Sequence, residues 1–135
     1  MDTWVGNFNY FIAEGLAISG GSREAAMAPK FSGSLNLAFE NDRGIYGSIN
    51  ANYKSAYFYS DSHNERSNSY FLTNFSLSNP ISEALVMTIW VRNVFDYRYA
   101  TRGFYFGLIP PDYPNELFES YADPRQIGLS LNYEL

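Results

Sequence analysis

The 135-residue sequence predicts an all-β fold, an antiparallel transmembrane β-barrel present as about five complete strands plus a partial one. Three observations predict it. Five segments alternate apolar and polar residues with period two. The polar set of each segment is small and neutral rather than charged. The connections between segments alternate short and long.

In the first segment Phe31, Gly33, Leu35, Leu37 and Phe39 share one face, and Ser32, Ser34, Asn36 and Ala38 the other. In the second, Ile45, Gly47, Ile49, Ala51 and Tyr53 oppose Tyr46, Ser48, Asn50, Asn52 and Lys54. In the third, Phe71, Thr73, Phe75 and Leu77 oppose Asn74, Ser76 and Ser78. The fourth is the most apolar: Leu85, Met87, Ile89 and Val91 oppose Val86, Thr88, Trp90 and Arg92. In the fifth, Ile127, Leu129, Leu131, Tyr133 and Leu135 oppose Gln126, Gly128, Ser130, Asn132 and Glu134. A water-facing sheet normally carries charge on its wet face to blunt edge-to-edge aggregation. A face of Ser, Asn, Gln, Thr and Gly suits an enclosed lumen better.

Asn41-Asp42-Arg43-Gly44 and Asn79-Pro80-Ile81-Ser82 read as tight turns. Ser60 to Asn68 reads as a longer polar loop, and Asp96 to Asp123 as a long, flexible one rich in Tyr, Pro and Gly. Membrane barrels pair short periplasmic turns with long extracellular loops, and each connection here falls on the side its length predicts. Before Phe31 the pattern weakens. Trp4 to Phe11 is expected to be the outer half of another strand, and Ile12 to Pro29 an extracellular loop.

Composition agrees. Twelve Tyr, eleven Phe and two Trp make 19% of the chain, so Tyr alone outnumbers the nine Lys and Arg. Amphipathic rings are favoured where one end is apolar and the other wet, and barrels carry aromatic girdles at both membrane interfaces. The net charge of -5, without a long basic run, disfavours a nucleic-acid partner. The absence of Cys removes disulfides, thiolate zinc sites and cysteine nucleophiles. The most apolar stretch, Ala84 to Val91, is far short of the roughly 20 residues of a spanning helix, yet with its neighbours it suits a tilted membrane strand of about 9–11. Met1-Asp2-Thr3-Trp4 shows neither a basic n-region nor an apolar h-region. An outer-membrane protein needs a signal peptide, so the chain is expected to be a fragment or a truncated reading frame.

Four stretches carry a resemblance. Arg92-Asn93-Val94-Phe95-Asp96-Tyr97-Arg98-Tyr99 resembles the "RNLFDKRY" segment of TonB-dependent receptors, where the penultimate strand meets its outer loop. Thr101-Arg102-Gly103-Phe104-Tyr105-Phe106-Gly107 resembles the start of that loop. Asp123-Pro124-Arg125-Gln126-Ile127-Gly128-Leu129 resembles the "DPRQFGV" that opens the final strand, and Ala28-Pro29-Lys30 the "APK" that opens an inward one. The last strand, with apolar residues alternating back from the terminus, resembles an outer-membrane assembly signal, departing from it at Leu135 where the family ends in Phe. Residues 1–135 then read as the carboxy-terminal segment of a receptor's barrel domain, with plug domain and TonB box absent.

The resemblance implies a bacterial outer-membrane location and uptake of a scarce nutrient: siderophore-iron, cobalamin or an oligosaccharide. The implied partners are outer-membrane lipid, the rest of the barrel and its plug, the barrel assembly machinery through the last strand, and the nutrient ligand; TonB would engage only through the missing amino-terminal part. Such a receptor adds no covalent chemistry, so no catalytic residue, cofactor or metal is expected. A soluble or surface β-sandwich binding carbohydrate through exposed aromatics is the alternative. A complete small porin-like barrel needs at least eight strands.

Residue clusters that look chemical have plainer readings. His63 between Asp61 and Glu65 lacks an established ligand spacing. Asp112, Glu116, Glu119 and Asp123 read as solvated loop charge rather than paired acids. Gly20-Gly21-Ser22-Arg23 lacks the strand and helix of a phosphate loop, and Asn74-Phe75-Ser76 is a chance sequon. Tyr57, Phe58, Tyr59, Tyr70 and Phe71 read as an outer aromatic girdle, with a stacking platform for a sugar or aromatic chelator as the alternative. Tyr97, Tyr99, Phe104, Tyr105 and Phe106 lie in the longest loop and are the candidate ligand contacts, because loops carry binding function more often than scaffold does.

Overall fold

In the computed structural model, which describes residues 3–12 and 25–134, the period-two segments are strands of one antiparallel sheet. Among the described residues there are eight strands: β1 (Thr3–Ile12), β2 (Phe31–Glu40), β3 (Tyr46–Lys54), β4 (Tyr70–Ser82), β5 (Leu85–Arg92), β6 (Ala100–Gly107), β7 (Asn115–Tyr121) and β8 (Gln126–Tyr133). Six form a sheet in the order β1-β2-β3-β4-β5-β8, while β6 and β7 form a separate two-stranded sheet. The six-stranded sheet is open, with β1 and β8 at its edges.

Register converts the sequence alternation into two faces, because residues directly opposite one another project to the same side. The row Leu37–Ile49–Phe75–Val91–Ile127 crosses five strands, and beside it runs Phe39–Gly47–Leu77–Ile89–Leu129. The opposite face carries Asn36–Asn50–Asn74 and Ala38–Ser48–Ser76–Trp90–Gly128. Its side chains bond to one another, mostly across the strands. Asn50 donates to Asn36 and Asn74 donates to Asn50 at 3.4 Å, while Asn52 donates to Asn50 along β3. Ser48 and Ser76 pair at 2.8 Å, as do Ser78 and Thr88. Each such bond contributes about 0.5–1.5 kcal/mol net.

The turns follow local chemistry. The Asn41 side chain accepts from the backbone N–H of Arg43 and of Ile45, both at 3.0 Å, and Gly44 takes φ 75°, which favours Gly. The second turn differs from the sequence expectation. Asn79 to Ser82 stay in β4, the register shifts between Pro80 and Ser82, and the turn is Glu83–Ala84. Pro cannot donate to the ladder, and a bulge accommodates that loss within a strand. The expected half strand is also corrected: β1 is ten residues long and pairs with β2 along its whole length. Residues 13–24 of the loop expected between them, Gly20 to Arg23 included, lie outside the described residues, as does Leu135.

Both short turns and the end of β8 fall at one end of the sheet, where the Glu134 N–H donates to the Ala84 carbonyl at 2.9 Å. The longer connections fall at the other. The long loop is no flexible segment. It holds the β6–β7 hairpin, paired from Gly107↔Asn115 to Ala100↔Tyr121 with one irregularity. The buried residues lie at this end, outside the six-stranded sheet: Tyr57, Tyr59, Ser67, Asn93, Ala100 and Gly103.

On the polar face, Gly128 has a packing reason to be Gly. A Cβ there would lie 2.1 Å from Cζ2 of Trp90, whose indole N–H donates to Ser130 at 3.2 Å. Gly128→Ala is expected to displace the indole and cost about 1–3 kcal/mol, the usual range for overpacking. In a Trp4→Phe background, a red shift of Trp90 emission and a lower unfolding midpoint would show it; unchanged emission would contradict the geometry.

Candidate functional site

The long-loop end is assembled from three connections, and the β5–β8 connection is anchored first. Asn93 follows β5 with φ 50°, a region Asn tolerates better than most residues. Its side-chain amide clasps the backbone of Tyr97 both ways: Oδ1 accepts from the Tyr97 N–H and Nδ2 donates to the Tyr97 carbonyl, each at 2.9 Å. Nδ2 also reaches the Asp123 carbonyl at 3.4 Å. Asp96, at φ 52°, accepts from the Arg125 N–H at 2.8 Å, and the Arg125 guanidinium donates to the Val94 carbonyl at 3.4 Å. The Arg92–Tyr99 and Asp123–Leu129 motifs are thus the two halves of one clasp, which ties the exit of β5 to the start of β8.

The β3–β4 connection folds against the hairpin. The Ser67 N–H donates to the Tyr57 carbonyl at 2.9 Å, and the Ser67 hydroxyl accepts from the Tyr57 N–H at 3.1 Å. These bonds double the loop back on itself. Arg66 then lies over the Phe58 ring at 4.5 Å. Residues 25–30 join from a third side, with the Met27 N–H on the Phe58 carbonyl and the Ala26 N–H on the Asp61 carboxylate.

Tyr57 and Tyr59 meet edge to face at 6.1 Å and are 4% and 6% exposed. They therefore form neither an outer girdle nor an open platform, as the sequence suggested. The hairpin covers them. Gly103 lies directly on the Tyr59 ring, where a Cβ would come within 2.3 Å of Cδ2. Tyr59 donates its hydroxyl to Glu119 at 2.6 Å, and Tyr57 donates to the Thr101 carbonyl at 3.3 Å. Tyr121 donates to the second oxygen of Glu119 at 2.7 Å. Tyr70 is half-buried, and Phe71 is exposed on the apolar face.

The five candidate contacts separate. Tyr99 stacks on Tyr70 at 4.3 Å, and Tyr97 donates its hydroxyl to the Ser69 carbonyl at 3.1 Å. Tyr105 packs against the His63 ring at 5.5 Å. Phe104 and Phe106 lie on the other side of the hairpin, joined by Phe118, and remain open to solvent. Phe104 and Phe106 thus form an open aromatic strip with Phe118, while Tyr97, Tyr99 and Tyr105 each contact a neighbouring loop, Tyr97 and Tyr105 remaining partly exposed.

The polar clusters are engaged in structure. His63 Nδ1 accepts from the Glu65 N–H at 3.3 Å, and Asp123 accepts from the Gln126 amide at 3.5 Å. Among the described residues no three of His, Cys, Asp and Glu gather as metal ligands. Among the described residues three hollows lie along the polar face, and Asn74 and Arg92 line two of them, of about 420 and 400 Å³. Sequence reading did not single out Arg92 as a site residue. Its signal was a cation at the end of a strand whose polar face is otherwise neutral.

Burial, and then the hydrogen bond to Glu119, raise the Tyr59 phenol well above its ordinary value. A phenol raised in the folded state stabilises the fold fully below about pH 10, where the unfolded side chain stays protonated. That contribution is lost as pH climbs through the folded value. The hairpin's hold on the loop should therefore weaken progressively from about pH 10 and be lost only as pH passes the raised folded value. Tyrosinate absorbance is expected to show a late-titrating class that shrinks by one residue in Tyr59→Phe, and a profile identical to wild type would sink this assignment.

No family model matches the sequence, and no curated protein matches it significantly. Among solved structures, the ferric yersiniabactin uptake receptor FyuA from Yersinia pestis is similar, with a TM-score of 0.73 and 14% identity. The match covers 96% of this chain, and the chain spans 21% of that receptor's length. At that identity the likeness is one of fold: this chain is an all-β antiparallel sheet with the strand arrangement of a β-barrel receptor, unclosed among its own described strands.

Proposed function

We propose that the chain is the carboxy-terminal part of the barrel wall of an outer-membrane, TonB-dependent type of receptor that takes up a scarce small nutrient. The observation that carries this reading is the two-faced single sheet. One face is a continuous apolar surface, and the other is a ladder of Asn, Ser and Thr bonded across the strands. The described residues supply no second layer for either face. Lipid outside and a polar lumen inside would satisfy both at once. The long loops at one end and tight turns at the other support the same orientation, with the hairpin on the outside of the cell.

The edges support a barrel larger than these six strands. An unpaired N–H or C=O in hydrocarbon costs several kcal/mol, and membrane barrels have at least eight strands. Although eight strands are described, β6 and β7 are paired only with each other and add nothing to the wall. Further strands would join β1 to β8, and a plug would fill the lumen. In this reading the open strip of Phe104 and Phe106 is a ligand contact on the outer hairpin, while Tyr97, Tyr99 and Tyr105 position it.

Expressed with an outer-membrane signal peptide, this chain by itself is expected to require detergent or urea for extraction. It should give no heat-modifiable monomer band and no nutrient uptake. A stable, detergent-free monomer would overturn the membrane reading in favour of a soluble module. A folded monomeric barrel band would instead indicate a complete small barrel.

Facing gives an independent check. Leu131 lies on the apolar face opposite Met87, and Asn132 on the polar face opposite Val86. A lipid-facing Arg costs about 2–4 kcal/mol near the midplane and less toward the interfaces. Within the closed barrel, Leu131→Arg should reduce the heat-modifiable band far more than Asn132→Arg. Equal losses would argue against lipid on that face.

A further inference from the structure

The polar face is neutral along the middle of its strands, and its charges, Glu40, Lys54 and Arg92, stand at strand ends, Arg92 at the end of β5. There Trp90 and Arg92, two residues apart on one strand, project to the same side. Trp90 breaks the run of small side chains, and the fold accommodates it. Gly128 on β8 leaves the indole room to lie across the neighbouring strand, and Ser130 accepts its N–H at 3.2 Å. The ring is fixed as a platform, and the Arg92 guanidinium sits over it, 5.1 Å from the ring centroid. No carboxylate lies within ion-pair distance of Arg92 among the described residues.

A guanidinium held over an aromatic ring keeps its N–H edge available, because the cation–π contact uses the flat face. That edge matches a carboxylate in bidentate geometry. The surroundings favour the same ligand. The hollow beside the guanidinium, about 420 Å³, is lined by Asn50, Asn74, Ser76, Ser130, Phe75 and Val91, neutral side chains that do not compete for the cation. Asp123, which lines the adjoining hollow, is bonded to Gln126.

We propose that Arg92, seated on Trp90, is a carboxylate-binding site on the polar face of the sheet. The site itself stands on sheet geometry. Only the source of the carboxylate rests on reading this face as a lumen: either a protein segment filling the lumen or a small solute passing through it.

The test uses the full 135-residue chain in detergent micelles, with its β-sheet content verified by circular dichroism before each titration and Trp4→Phe leaving Trp90 as the sole indole. Trp90 emission is titrated with glutarate and with a short uncharged-end Gly/Ser peptide carrying one Glu, at ionic strength held constant with KCl. Saturable change with either probe is expected. Arg92→Gln should raise the half-saturation concentration at least roughly tenfold, with Arg92→Lys between the two, as loss of a bidentate charge-assisted contact requires. Tighter binding of the peptide points to a protein segment, and equal binding to a solute. Absence of a saturable change, or the same curve in Arg92→Gln, would overturn the proposal. Arg92 is exposed, so its variants test the site rather than the fold. If the chain proves soluble without detergent, the membrane reading fails and the titration is run unchanged in buffer.

Discussion

Everything in this chain depends on a sheet one layer thick. In a sandwich, or a sheet backed by helices, a register error costs stability but leaves an inner and an outer surface. Here the ladder alone decides which side each residue serves. A one-residue slip of a strand would set its apolar side chains among the Asn and Ser rows and its amides among the Leu, Ile and Phe. The cross-strand bonds oppose that slip. The Ser48–Ser76 and Ser78–Thr88 pairs and the Asn36–Asn50–Asn74 chain form only in the observed register. The same constraint leaves Thr73 as an exception: it lies on the apolar face, and its buried hydroxyl has no hydrogen-bond partner among the described residues.

The second organising feature is that tight packing has moved away from the sheet. A single layer whose two faces meet other surroundings cannot bury its own side chains, so none of the buried described residues belongs to the six main strands. Burial concentrates where loops fold over one another. Small residues and short hydrogen bonds bring the Tyr57–Tyr59 pair, Gly103 and Glu119 together. Among the described residues the long-loop end is therefore the most tightly packed, although connections are usually the loosest part of a fold.

Legibility in the sequence followed the same division. Strands β2 to β5 and β8 could be read because each has one apolar and one polar face, so period two survives in the letters. β1 was read as a half strand because Val5 and Phe11 interrupt the alternation. The hairpin went unread because Phe104-Tyr105-Phe106 is aromatic on both faces, one packing on the loop and the other open. Its partner β7 is short and acidic. Pro80 suggested a turn, and only the pairing with Val86 reveals a bulge instead. The candidate site was legible as a set of loop aromatics but not as an arrangement. Nothing local distinguishes Tyr57 and Tyr59, which are covered, from Phe104, which is open; the difference lies in a contact between residues 60 positions apart. Arg92 was legible only as a cation at the end of a strand with a neutral polar face, and its platform depends on Gly128 across the ladder.

The Asn93 clasp has a wider consequence. Because Asn93 holds Tyr97 and Asp123 together, and the Ala122 N–H donates to the Tyr99 carbonyl at 3.0 Å, the hairpin leaves and rejoins the wall at nearly one point. Changes of length at the hairpin tip, around residues 108–114, therefore leave the β5–β8 register untouched, whereas exchange of the whole hairpin would uncover Tyr57 and Tyr59. Such a base makes the hairpin a unit set apart from the sheet: the strand pairing is already closed beneath it, so its tip is free of the register that fixes every other strand.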